Sequence, residues 1–160
     1  MLKRIAGISL LIAGTSGLFS VSAQQTEPTP EQIAAQATNT RQALFQVLFY
    51  NLNMISGMAR GTVEFDAETA ERNANRIAML APMISEMFAA NDTRAFNVET
   101  EALPIIWDRM DEFTEKAMNL ENAANTFAQI ASGGDRNAIL GGIRAFGGTC
   151  GNCHETFRED

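Results

Sequence analysis

The chain has few of the side chains that bind metal ions or form cross-links. Its 160 residues contain two cysteines, Cys150 and Cys153, and a single histidine, His154. Structural zinc takes four protein ligands, so a zinc site here would need a carboxylate to complete a shell of three. A disulfide between the two cysteines would close a loop too short to restrain the unfolded chain. The sequence therefore favours neither a zinc site nor a structural disulfide.

Positive charge is also scarce. The sequence has 12 lysines and arginines against 19 aspartates and glutamates, for a formal net charge of -7. Nucleic-acid binding needs basic side chains that meet phosphates, so this class of partner is excluded. Acidic residues such as Asp108, Asp111, Glu112 and Glu115 fall on one polar helical face, which we interpret as solvated surface and not as a docking patch.

The sequence has no long hydrophobic run, and its most apolar stretch, near the start, is short. Lys3 and Arg4 precede an apolar stretch over Ile5–Ile12, and Val21–Ala23 supplies the small residues of a cleavage site. The stretch is too short and too interrupted to span a bilayer, and no later segment approaches the needed length. We therefore predict a secretory signal peptide over residues 1–23, with no membrane insertion after its removal. Its loss would move the net charge from -7 to -9.

The remainder of the chain has the size of one domain. About 137 residues remain after residue 23, enough to bury a core of their own. Residues 24–29 are polar and contain Pro28, which predicts a flexible N-terminal tether. Residues 30–160 are then expected to form the folded domain.

Helix signals begin at the end of this tether. Thr29 is a good cap, Pro30 suits the first helical position, and Gln32 can close a capping box. Apolar residues then recur every three or four positions, as on one face of a helix. The pattern predicts that helix one runs from Pro30 to Gly57 or Gly61.

Three more helices are expected, because similar spacing resumes after further cap, proline or glycine signals. No segment shows the period-two alternation of a strand, so no sheet is expected. Four helices joined by modest connections predict an all-α fold, an antiparallel up-down-up-down four-helix bundle. The later elements are helix two over 67–89 behind Asp66, a loop over 91–100, helix three from Pro104 to Ser132, and helix four behind Asp135, running to Phe157.

The last helix carries the chemistry. Cys150-Gly151-Asn152-Cys153-His154 has the spacing of covalent haem attachment. Two thiols one helical turn apart can add to the two vinyl groups of one porphyrin edge, and the adjacent imidazole can reach the iron. We predict one haem c per chain, bound covalently at this C-terminal site through Cys150 and Cys153, with His154 as the iron ligand. Both cysteines fall on the apolar face of helix four.

Two other interpretations of the motif stay open. A thioredoxin-like redox pair stands at the N-terminus of a helix after a strand, where the thiol pKa is lowered. Cys150 and Cys153 lie instead at the C-terminal end of the last helix, with no preceding strand. A haem-free helical binding module, with the motif present by chance, would show no covalent haem after denaturation.

The chain resembles the class II cytochromes c, and among them most closely cytochrome c′, over nearly all of the sequence after residue 23. The resemblance rests on a haem motif at the extreme C-terminus of a four-helix pattern, and cytochrome c′ is itself a standard example of that bundle. Its local points are Arg41–Phe45, Ala81–Met83, Leu103–Trp107 and Cys150–Arg158.

At the C-terminus, the resemblance implies a role for each motif residue by position. His154 corresponds to the proximal axial ligand, and Cys150 and Cys153 correspond to the thioether anchors. Arg158, one helical turn after His154, corresponds to a basic residue beside the proximal face. Without the resemblance, this arginine would be an ordinary surface charge.

In helix one, the resemblance places three residues at the cofactor. Arg41 is similar to an arginine that meets a haem propionate, Gln42 is its neighbour in the same stretch, and Phe45 falls where the family has its distal-pocket residue. Without the resemblance, Arg41 would be surface charge and Phe45 ordinary core. Low-spin relatives such as cytochrome c-556 have a methionine on helix one that completes the iron. Phe45 cannot ligate iron, and Met54 and Met58 lie about 13 Å or more further along the axis.

These residues predict a five-coordinate, high-spin haem with His154 on one side and an apolar pocket at Phe45 on the other. The expected ligands are NO and CO, bound in the bacterial periplasm, with one-electron exchange as a secondary capacity and no catalytic residue. The alternative is a low-spin electron carrier in which an unrecognised side chain supplies the sixth ligand and the acidic surface steers a basic periplasmic redox partner. The resemblance also implies a homodimer, through an exposed apolar strip on helices one and two.

Overall fold

The computed structural model describes residues 27–159, so the predicted signal peptide over 1–23 and the start of the tether lie outside the described residues. The described residues contain no strand, and their only strand-like pairing is an isolated antiparallel bridge between Ala102 and Arg158. The helices are α1 (Pro30–Arg60), α2 (Ala67–Leu80), α3 (Pro82–Ala90), α4 (Ile105–Asp108), α5 (Met110–Ser132) and α6 (Arg136–Phe157).

These helices group into the four of the predicted bundle. α1 and α6 each form one member, α2 and α3 together form the second, and α4 and α5 together form the third. The prediction of an all-α four-helix fold is confirmed. Among the described helices, none combines the length and the apolar character needed to cross a bilayer.

Local signals fix where the helices begin. Thr29 and Gln32 form the predicted capping box, in which Gln32 N donates to Thr29 Oγ1 at 3.3 Å and Thr29 N donates to Gln32 Oε1 at 2.8 Å. Asp66 and Asp135 accept in the same way from early backbone N–H groups of α2 and α6. α1 ends before Gly61, whose φ of 70° is the left-handed conformation that glycine adopts without strain.

The prediction of one unbroken helix over 67–89 is wrong at Ala81. Pro82 has no N–H group, so it cannot donate to the carbonyl one turn earlier, and its ring crowds that carbonyl. The backbone of Ala81 nevertheless keeps helical angles, with φ -58° and ψ -41°. α3 therefore continues from α2 after a local break in the hydrogen bonding.

Predicted helix three is also divided. Pro104 precedes the short helix α4, but the backbone of Arg109 leaves helical angles, with φ -127° and ψ 41°, before α5 begins. Arg109 Nε donates to Glu112 Oε2 at 2.8 Å, and its guanidinium lies 5.6 Å from the centre of the Phe157 ring. Through these contacts, the side chain of Arg109, at the break between α4 and α5, packs on the first turn of α5 and on the end of α6.

Aromatic contacts fix the end of α6 against the core. The ring of Phe157 lies 5.2 Å from that of Phe113 on α5, which in turn lies 4.9 Å from that of Phe88 on α3. Further back along α6, the ring of Phe146 stacks on that of Phe127 at 5.1 Å. Phe146 and Phe157 are both buried. Their packing in the core therefore fixes how α6 is rotated about its own axis between these two residues.

Candidate functional site

Cys150 and Cys153 lie on α6 between the two anchored phenylalanines, one helical turn apart. Both thiols are free, and both side chains pack partly buried against the core. Burial raises the pKa of Cys150, and it raises the pKa of Cys153 to about 11 despite the charge of Lys116. Both thiols are therefore protonated at neutral pH. A thioredoxin-like pair needs a lowered pKa, so the site does not favour that interpretation.

His154 follows the cysteines on the exposed side of α6. Partial burial lowers the pKa of its imidazole, and the charge of Arg158 lowers it further, while Glu101 opposes the shift. At neutral pH the imidazole is therefore neutral and keeps a lone pair for a metal. An open depression of about 320 Å³ lies against it, lined by Gly151, His154, Glu155, Arg158 and Glu159.

Arg158 ends α6 beside His154. Its backbone is extended, and its N–H group donates to the carbonyl of His154 at 3.1 Å. Its half-exposed side chain donates from Nε to Oε2 of Glu101 at 2.8 Å. Arg158 and His154 line the same depression, so the structure brings these two predicted site residues together.

A short segment that sequence reasoning missed pairs with the end of α6. Residues 99–103, called the clasp segment below, contain Ala102, which forms the isolated bridge with Arg158. An isolated bridge has no periodicity, so no pattern in the sequence could have revealed it. Two backbone hydrogen bonds flank the bridge, from Leu103 N to Phe157 O at 3.0 Å and from Glu159 N to Glu101 O at 2.8 Å.

The clasp segment is also bonded to α1. Gln42 Nε2 donates to the carbonyl of Glu99 at 2.9 Å. Phe45 lies three residues after Gln42, on the same side of α1, and its side chain is 37% exposed. The clasp segment thus joins α1 to the end of α6, through side-chain bonds that each link residues 57 positions apart.

Arg41 is buried beside the end of α3. Its Nε and Nη2 donate to the carbonyl of Met87 at 3.2 and 3.1 Å, Nη2 also donates to the carbonyl of Asn91, and Nη1 donates to Thr93 Oγ1 at 3.2 Å. Burial lowers the pKa of the guanidinium, against the attraction of Asp92. Carbonyls at a helix end lack partners within the helix, so Arg41 caps α3. Its contact with a haem propionate stays a prediction.

The chain has clear relatives in sequence and in structure. Residues 36–158 match the family model described as Cytochrome C'. The chain belongs to the cytochrome c′ family. The predicted resemblance is thereby confirmed.

Individual relatives agree with the family model. Cytochrome c-554 of Cereibacter sphaeroides is 36% identical over 120 residues, which cover 74% of this chain and 78% of the relative. Cytochrome c′ of Pararhodospirillum photometricum is 34% identical over 109 residues, which cover 68% of this chain and 85% of the relative. Among solved structures, cytochrome c prime from Shewanella frigidimarina has a TM-score of 0.70 and 30% identity, covering 79% of this chain and 97% of its own.

As a member of the cytochrome c′ family, the protein binds haem c covalently through Cys150 and Cys153. The site fits the group, because two free thiols lie one turn apart on one side of α6 and an imidazole follows them at an open depression. When bound, haem supplies an iron that changes oxidation state and accepts axial ligands. The protein is therefore a c-type cytochrome.

Proposed function

We propose that this member of the cytochrome c′ family is a periplasmic haem protein with a five-coordinate, high-spin iron that binds the small diatomics NO and CO. His154 is the protein ligand on one side of the iron, and the phenyl ring of Phe45 faces the other. The observation that carries the proposal is the identity of Phe45. Low-spin relatives have a methionine on this helix, whereas a phenyl ring has no lone pair for iron.

The single histidine and the two methionines of α1 do not supply a second ligand on the Phe45 side. His154 is the single histidine of the chain. Met58 is 3% exposed and packs in the core of the bundle. Met54 lies two and a half helical turns beyond Phe45, about 13 Å along α1. These positions support an iron whose second axial side is open.

Contacts of α1 support a position of Phe45 at the haem. Gln42, on the same side of α1 as Phe45, donates to the clasp segment. The clasp segment is in turn paired with Arg158, which lines the depression at His154. This side of α1 is therefore linked to the end of α6 that carries the haem.

An apolar distal side selects among ligands. The Phe45 ring offers no hydrogen-bond donor, so a bound and polarised O2 would gain nothing from it. Its bulk screens the iron from large ligands, and charged ligands would have to lose their hydration against an apolar wall. NO and CO are small and neutral, and they bind iron without needing a donor. No step in this role requires a catalytic acid, base or nucleophile.

Export to the periplasm is part of the same proposal. It rests on the basic residues Lys3 and Arg4, the apolar stretch Ile5–Ile12 and the small residues Val21–Ala23. In the exported protein, residues 24–29 form a tether ahead of the haem domain over 30–160. Mass spectrometry of the periplasmic fraction is expected to find a chain that starts at residue 24, and an uncleaved or cytoplasmic chain would contradict the assignment.

Substitution of Phe45 tests the ligand-binding proposal. F45M places a thioether at the proposed open side, so the ferrous spectrum is expected to become low-spin and CO binding to slow sharply. F45L keeps the side apolar and is expected to stay high-spin and to bind CO. F49M, at a 63% exposed position one turn further, controls for a new methionine on α1. Wild-type spectra and equal CO binding in both F45M and F45L would show that Phe45 is not at the iron.

An electron carrier is the second candidate function. It is favoured by the relative at 36% identity, a cytochrome c-554. In this function a side chain of the protein closes the sixth site, and the acidic surface steers a basic redox partner. Sharp low-spin bands that CO leaves unchanged would establish it.

We also propose that the protein is a homodimer. Val47, Tyr50 and Met54 recur at helical spacing on one flank of α1, and the first two are 48% and 61% exposed. A solved cytochrome c′ with 26% identity and a TM-score of 0.67 is described by its ligand-controlled dimer dissociation. Sedimentation velocity is expected to give a dimer that V47K disrupts and that N119K, on the exposed side of α5, does not. A monomeric wild type would contradict the proposal.

A further inference from the structure

Glu101 holds the end of α6 with both its backbone and its side chain. Its carbonyl accepts from Glu159 N at 2.8 Å, and its carboxylate oxygen Oε2 accepts from Arg158 Nε at 2.8 Å. The next residue, Ala102, forms the isolated bridge with Arg158. The clasp segment therefore fixes the backbone of Arg158 and the first nitrogen of its guanidinium together.

The bond at Nε sets the orientation of the whole guanidinium group of Arg158. Nε is conjugated with the two terminal nitrogens, so the carboxylate of Glu101 fixes the plane in which they lie. Arg158 lines the same depression as His154, and its side chain is 48% exposed. A long side chain with that exposure would sample several rotamers if its partner were removed.

We propose that Glu101 is a positioning residue, which holds the guanidinium of Arg158 beside His154 and so limits the approach of small ligands to the His154 side of the haem. This inference rests on the proposed function, in which His154 is the protein ligand of the iron. Glu101 acts through Arg158 and not on the ligand itself. The opposite side of the haem, at Phe45, is unaffected by it.

A ligand that reaches the iron from the His154 side must replace His154, so the rate at which excess NO releases this histidine from the ferrous, haem-loaded protein measures the effect. Exposed ion pairs hold their geometry only modestly, so E101A is expected to speed the displacement about two- to five-fold. E101Q keeps an acceptor for Nε and is expected to fall between E101A and wild type. E99Q is the matched control in the same segment, because Glu99 is bonded through its carbonyl and the substitution keeps that carbonyl. CO binding rates are expected to stay equal in all four proteins.

A double-substitution cycle shows whether Glu101 acts through Arg158. R158A is expected to speed the displacement at least as much as E101A does. In the R158A background, E101A is then expected to add nothing. A full additional effect would overturn the proposal, because Glu101 would then act independently of the guanidinium. Displacement that is equally slow in wild type, E101A and R158A would overturn it too, since the guanidinium would not limit approach.

Nuclear magnetic resonance of the ferrous protein with CO gives a readout of position that does not depend on NO. The Nε–H proton of Arg158 is expected to exchange slowly with water in wild type and E99Q, and at least several-fold faster in E101A. Equal exchange in wild type and E101A would contradict the positioning role. Failure of the proposed function is distinguishable, because wild-type protein would then show a low-spin ferrous spectrum that CO does not change.

Discussion

The guanidinium carbon of Arg41 lies 4.4 Å from the centre of the Phe88 ring, so a charge on α1 is stacked on an aromatic side chain of α3. Trp107 of α4 flanks the same guanidinium at 5.4 Å, and its Nε1 donates to Phe88 O at 3.0 Å. With the carbonyls of Met87 and Asn91, these contacts make Arg41 the residue that joins α1, α3 and α4.

The first prediction follows from this junction. R41K keeps the charge but loses the planar fork that serves several acceptors at once, and we expect it to lower the free energy of unfolding by about 2–3 kcal/mol. Urea unfolding of the haem-loaded protein measures the change. R60K, at an exposed position on the same helix, is the control and is expected to change stability by less than about 0.5 kcal/mol. Equal midpoints for R41K and R60K would show that the fork is not structural.

The second prediction concerns the turn between α1 and α2. Thr62 N and Val63 N both donate to the carbonyl of Gly57, at 2.9 and 3.2 Å, so the turn folds directly over this glycine. A Cβ atom at Gly57 would lie 2.5 Å from Val63 Cγ2 and 3.2 Å from Thr62 Oγ1. We expect G57A to destabilise the fold by about 1–3 kcal/mol, because the turn must shift to admit the methyl group.

The control for this prediction changes stability in the opposite direction. Gly141 lies within α6, and a Cβ atom there would meet nothing within 4 Å. G141A is expected to stabilise the protein by up to about 1 kcal/mol, since alanine has the higher helix propensity. Thermal unfolding of both variants and of wild type measures whether each substitution lowers or raises the stability. Stabilisation by G57A would contradict the packing of the turn.

The third prediction is a pH dependence at the start of α2. The hydrogen bond from the Thr69 hydroxyl is the main cause that lowers the pKa of Asp66, and the N–H groups of Glu68 and Thr69 lower it further, while desolvation opposes the shift. A carboxylate whose pKa is lower in the folded state stabilises the fold above its unfolded pKa, and this contribution is lost as the pH falls through the folded pKa. D66A should therefore unfold more easily than wild type at pH 7, with a gap that narrows toward pH 2.

D66N separates capping from charge in this experiment. Asparagine caps a helix without titrating, so its difference from wild type should also change with pH, while its difference from D66A should stay constant. The unfolding midpoints of the three proteins across this pH range provide the measurement. A gap between wild type and D66A that is the same at both ends of the range would contradict the lowered pKa.

Most of the fold could be predicted because its signals are local. Thr29, Asp66 and Asp135 each cap the helix that they were expected to open. The division at Ala81 was not predicted, although Pro82 is a local signal for it because proline cannot continue the hydrogen bonding of a helix. The division at Arg109 could not be predicted, because no glycine or proline marks it and its causes are contacts with α5 and α6.

In the site, too, features set by neighbouring residues could be predicted, and features set by contacts between distant residues could not. The cofactor followed from the five residues Cys150–His154, whose spacing is set by the chemistry of attachment. The pairing of Glu101 with Arg158 joins residues 57 positions apart through one bridge and one ion pair, which leave no periodic trace. The place of Arg41 also depends on distant carbonyls, whose positions exist only once α1 has packed against α3.

The optical spectrum of the haem-loaded wild-type protein tests the central claim most directly, as ferric protein, as ferrous protein, and as ferrous protein with CO. An open side at Phe45 predicts a broad, high-spin ferrous band that sharpens when CO is added. Sharp low-spin bands that do not change with CO would contradict the account, since they would show that a side chain of the protein already occupies the sixth position.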